Sequence, residues 1–191
     1  MKHNNTKFSV IYAIFAVLKI TVGLLGSSFV FVADGIYALT RSAQTVSLSG
    51  SESKISKMCK TVFAGFTVLV SLYSCYYSSL MLLSQISYAS VRPDFWVVIP
   101  AILAFLVQMF FILDGKDSPE GASDEEIIQA EQFRQKLIYD AVLAVMAVVG
   151  VIGTFFLDFY IEYAAALSIS LAALKMAFEI FVSKKKTAKQ G

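Results

Sequence analysis

The chain has one histidine, two cysteines and few charged side chains. The histidine, His3, lies in the N-terminal tail, so imidazole takes no part in any chemistry along the apolar segments that follow. The cysteines, Cys59 and Cys75, fall on one predicted helix, which leaves neither a disulfide framework nor a paired metal motif. Each reads as a small apolar residue. There is no Gly-rich phosphate loop, and no nucleophile has a base within reach by sequence, so no enzyme activity is expected. Charged residues are 16% of the 191, against roughly 25% in a soluble domain. A net charge of +2 is too small to suggest a nucleic-acid partner, and the expected partner is the lipid bilayer.

What the chain has instead is apolar length. Hydrophobic residues make up 57% of it, in runs comparable to the roughly 20 residues that cross a bilayer. Six segments are predicted, all helical because an open sheet leaves its backbone unsatisfied in lipid. They span about 8–25, 29–48, 58–83, 97–113, 124–156 and 160–182, within a single transmembrane domain over 1–191. The first two are joined by a tight Gly26-Ser27-Ser28 turn, and Pro93 and Trp96 mark the start of the fourth. The fifth begins in an acidic loop, where Ser123 and Glu126 have capping-box spacing, and becomes apolar near Leu137. That loop reads as a solvated helix extension or as a collector of cations. Lys19 interrupts the first segment and no small-x-small cleavage site follows, so it reads as a retained helix rather than a signal peptide. Lys2, Lys7, Lys54, Lys57, Lys60 and the cluster from Lys184 to Lys189 stand on one side, with Arg92 on the other. The positive-inside rule then places both termini in the cytoplasm, in a plasma or inner membrane.

The informative residues are the charges inside the apolar runs. Asp34 and Asp140 occupy two different predicted helices, and a carboxylate in hydrocarbon costs about 2.5–3.5 kcal/mol unless compensated. Asp34, Tyr37 and Arg41 are spaced i, i+3, i+7 and share a face, as do Lys136 and Asp140 at i, i+4. If these faces meet, two acids and two bases form one balanced seam, with Lys19 as a further base nearby. The acids then either bind a passing cation or proton, or are neutralised permanently so that the seam pins helices together. The sixth helix is rich in alanine and serine, which favours close helix contact, with the third helix as partner. Asp158 and Glu162 are expected at the outer interface, and Lys175 with Glu179 has pairing distance at i, i+4.

The stretches from Lys19 to Ser28 and from Phe31 to Arg41, with Leu137-Ile-Tyr-Asp140, resemble the helix-one, helix-two and helix-five motifs of the cation diffusion facilitators. The resemblance implies a six-helix bundle, a homodimer, and divalent cation/proton antiport. The family's four metal-binding positions fall on Tyr37, Arg41, Lys136 and Asp140, and only Asp140 keeps a metal-binding carboxylate. Asp34 matches the acid that precedes the first ligand. The implied substrate is zinc, manganese or iron, although a guanidinium and an ammonium at two ligand positions repel such an ion. Many members continue into a cytoplasmic domain, which is expected to be lacking after Gly191, so dimerisation is expected through helices three and six. The loop before helix five, often His-rich in relatives, has no histidine. Two functions follow: an antiporter acting through Asp140 and Asp34, or a transport-inactive relative serving as scaffold or accessory subunit. A substrate that is not a metal is a third.

Overall fold

A computed structural model of the chain describes residues 2–47, 54–83, 92–114, 124–158 and 160–187, with side chains over 10–44, 61–83, 92–110, 131, 134–158 and 160–180. The Ser123–Glu126 cap and the side chains of Cys59 and of the tail and loop lysines lie outside the described residues. The described residues form α1 (Lys2–Leu25), α2 (Phe29–Ser47), α3 (Lys54–Leu83), α4 (Val98–Asp114), α5 (Asp124–Phe156) and α6 (Tyr160–Thr187). A single 3₁₀ turn, Phe95–Val97, leads into α4, and no strand occurs among these residues.

Local chemistry sets the turn between α1 and α2. Ser27 takes a left-handed backbone with φ 54°, and the Ser28 N–H donates to Gly23 O at 2.8 Å. That six-to-one bond satisfies a carbonyl the helix end would otherwise orphan. The chain then reverses, and α2 packs back along α1. Glycine makes this contact close. A Cβ at Gly35 would lie 2.6 Å from Ile20 Cγ1 and 2.9 Å from the Ile20 backbone nitrogen, and one at Gly23 would lie 2.8 Å from Val32 N. Only bare backbone fits there.

α2 is the centre of the bundle. It touches α1, α3, α5 and α6, while α4 packs on α5, and α3 on α6. The core joins Val30, Phe31 and Tyr37 of α2 to Leu143 and Val151 of α5 and Ile169 of α6, with alanines filling the closest crossings. The small residues Ala165, Ala166, Ala172, Ala173 and Ala177 of α6 are buried in these contacts within the chain. Ser74 of α3 and Ser170 of α6 meet at 2.6 Å, and Thr40 donates to Thr67 at 3.3 Å between α2 and α3.

One end of the bundle gathers the α1–α2 turn, the start of α4 and the α5–α6 turn. Asp94 N–H donates to Gly26 O at 2.9 Å, and Phe95 meets Phe155 edge-on at 5.3 Å. Glu162 belongs to this end, and its place corrects the expectation of an interfacial residue. It is 1% exposed, and its Oε1 accepts from Ser28 Oγ at 2.9 Å and from the Val30 N–H at 3.4 Å. The physical reason is that α2 starts beside it, with N–H groups that lack intrahelical acceptors. Asp158 is exposed, as a loop position should be.

Three helical segments among the described residues are long and apolar enough to cross a membrane: Thr61–Leu83, Arg134–Phe156 and Tyr160–Ile180. Shorter apolar stretches cover Val10–Leu25 and Phe95–Phe110. α2 is not among them, because its polar side chains lower its hydropathy; it is instead the most enclosed helix, buried on nearly every side from Val30 to Ser42. α3 is the opposite case, with Leu69, Tyr73 and Tyr76 turned outward and more than 60% exposed. Apolar faces of that kind suit lipid far better than water.

Candidate functional site

Tyr37 and Arg41 stand one turn apart on α2 and present one face to α5. There they meet Asp140. Its Oδ1 accepts from Tyr37 Oη at 2.5 Å, and its Oδ2 accepts from Tyr12 Oη of α1 at 2.7 Å and from Arg41 Nε at 3.0 Å. Asp140, Arg41 and Tyr37 are 2–3% exposed. Three donors, one of them cationic, thus surround one carboxylate, and charge assistance makes such bonds about twice as strong as neutral ones. The Arg41 side chain is held further by Gln44, whose Oε1 accepts from Nη1 at 2.8 Å.

Asp34 belongs to a separate layer. Lys19 Nζ lies 2.7 Å from Asp34 Oδ2, and both side chains are almost fully buried. No acceptor stands at hydrogen-bonding geometry around Lys19 Nζ, so the contact is an ion pair in the Coulombic sense. Asp34 and Arg41 are seven residues apart, which along a helix at 1.5 Å per residue is about 10 Å. The single four-membered seam expected from spacing therefore resolves into two pairs at two depths, Lys19–Asp34 and Arg41–Asp140.

Lys136 is the expected site residue that is not drawn in. It is half-buried and forms no ion pair with either acid. Its i, i+4 spacing puts it one turn from Asp140, but Arg41 and the two tyrosines already surround that carboxylate. Lys175 and Glu179 likewise form no ion pair with each other despite their spacing. These three side chains instead line a cavity of about 320 Å³ between α2, α5 and α6, which also reaches Tyr37, Arg41 and Asp140. A smaller pocket of about 20 Å³, bordered by Tyr12, Gln108 and Asp140, has room for a water.

The donor set does not suit a divalent metal. Among the described residues no group of three or more His, Cys, Asp or Glu side chains comes together. Tyr37, Arg41, Lys136 and Asp140 supply a phenol, a guanidinium, an ammonium and one carboxylate, where zinc takes thiolate, imidazole or carboxylate. The Arg41 guanidinium lies against Asp140 Oδ2, the one carboxylate of the four.

Tyr12, Ser28 and Glu162 were not foreseen as partners. Tyr12 lies in an apolar run with nothing at helical spacing to mark it, and its role comes from α1 lying against both α2 and Asp140. Comparison of the chain with protein-family models, with curated proteins and with solved structures gives no match.

Proposed function

We propose that the chain is an integral membrane bundle of six helices, resembling the cation diffusion facilitators, that does not carry metal and serves as a scaffold or accessory subunit. The observation behind this reading is Arg41 Nε at 3.0 Å from Asp140, with Tyr12 and Tyr37 on the same carboxylate. A divalent ion would have to displace the guanidinium and two hydroxyls, then sit beside the displaced positive charge. Buried pairs of this type fix geometry more than they add stability, and here they tie α1 and α5 to α2. Two copies are proposed to meet along α3 and the outward edge of α6, where Tyr73, Tyr76 and Leu171 are exposed. Light scattering in detergent reads that stoichiometry, and a strict monomer removes the dimer.

The cavity that reaches Asp140 favours a second reading, a cation/proton antiporter in which Arg41 releases the carboxylate. Proteoliposomes decide between the two. Zinc, manganese and iron are expected to show no protein-dependent flux. Flux that Asp140→Asn abolishes would establish the antiporter instead.

A further inference from the structure

We propose that the cavity between α2, α5 and α6 binds the phosphate of an anionic phospholipid, with Lys136 and Lys175 as its ligands. The inference goes beyond the scaffold reading and is independent of whether a metal is carried. It begins with charge. Among the described residues the cavity wall carries three bases, Arg41, Lys136 and Lys175, against two acids, Asp140 and Glu179. Asp140 is occupied by Arg41 and two tyrosines. Among the described residues Lys136 and Lys175 have no ion pair of their own, which leaves the described wall with an excess of positive charge that an anion would balance.

Position selects the kind of anion. In the sequence the apolar run of α5 begins at Leu137, directly after Lys136, and that of α6 reaches Val182, just before the lysine cluster at Lys184. Lys136 therefore lies at the start of one run, and Lys175 about two turns inside the end of the other. Lys136 stands at the level where apolar helix gives way to polar surroundings, which in a bilayer is the headgroup level, and the long Lys175 stem lets its ammonium snorkel toward it. Basic pockets between membrane helices at that level take lipid phosphates, and lysine binds phosphate as a point charge. The volume of about 320 Å³ falls at the lower end of the roughly 300–1,000 Å³ typical of ligand pockets. Ala172 and Met176 give the wall an apolar side for the glycerol and first acyl carbons. Glu179 opposes the phosphate and sets how tightly it is held.

The test titrates the purified full chain, in neutral detergent, with short-chain phosphatidic acid, short-chain phosphatidylcholine and inorganic phosphate, and reads retained ligand by native mass spectrometry. Phosphatidic acid is expected to bind saturably and phosphatidylcholine is not. Lys136→Gln and Lys175→Gln are each expected to weaken binding about tenfold, as loss of one charged hydrogen bond does. Lys136→Arg keeps the charge and should retain binding, while Glu179→Gln should strengthen it, so loss of fold cannot imitate the pattern. Lysine-dependent binding of inorganic phosphate without the lipid overturns the lipid as the ligand. Phosphatidic acid binding that neither Lys→Gln variant weakens, or no saturable binding at all, overturns the site.

Discussion

At the scale of single residues, Asp140 is held by what would be lost if any partner were removed. Arg41→Ala strands a buried carboxylate, and Asp140→Ala strands a buried guanidinium; breaking such a pair costs about 3–5 kcal/mol. Replacing both by alanine removes the stranded charge and should cost less than the sum of the two single losses. A double-mutant cycle, read by denaturant unfolding in micelles, checks this. Additive losses would mean that the two side chains do not interact. Glu162 gives a second residue-scale expectation. Glu162→Leu leaves Ser28 Oγ and the Val30 N–H without their acceptor and should cost about 1–3 kcal/mol, whereas Glu162→Gln keeps an acceptor oxygen and should cost less. Equal losses for both variants would argue against the capping role.

These residues also show what the sequence could and could not reveal. Tyr37 and Arg41 share a face by spacing alone, and Asp140 stood out because an acid within an apolar run needs an answer. Which base answers it was not legible. Lys136 is one turn away in sequence, yet Arg41 comes from another helix and Lys19 goes to Asp34. Pairing across helices depends on which faces meet, and spacing within one helix carries no such information. Glu162 was misread for the same reason, since its partners are 134 and 132 residues distant along the chain.

At the scale of helices, the α1–α2 crossing depends on missing side chains. Gly35→Ala forces a Cβ against the Ile20 backbone and should destabilise by about 1–3 kcal/mol, the usual range for overpacking. Gly65 of α3 is the control, because a Cβ there meets nothing within 4 Å. Gly65→Ala should be neutral or stabilise by up to about 1 kcal/mol through helix propensity. Unfolding in micelles distinguishes the two, and equal effects would contradict the close crossing. The helical character was plain in the sequence because length and apolarity demand it. The central place of α2 was not. Its polar residues lower its hydropathy because other helices, rather than lipid, surround it.

Over the whole molecule, the described helices leave an apolar exterior and enclose two polar layers within an otherwise apolar core. Lys19–Asp34 lies toward the α1–α2 turn, and Arg41–Asp140 toward the opposite end, where α1 begins and α6 finishes. The second layer opens on the charged cavity, so the same end carries both the proposed metal-free closure and the proposed phosphate site. Closure of Asp140 by its own arginine is the claim on which the non-transporting reading stands. Calorimetric titration of the purified full chain with zinc, manganese and iron(II) tests it most directly. No saturable heat above the background of an Asp140→Asn variant is expected. Stoichiometric binding that disappears in Asp140→Asn would show that the carboxylate serves a metal instead of Arg41.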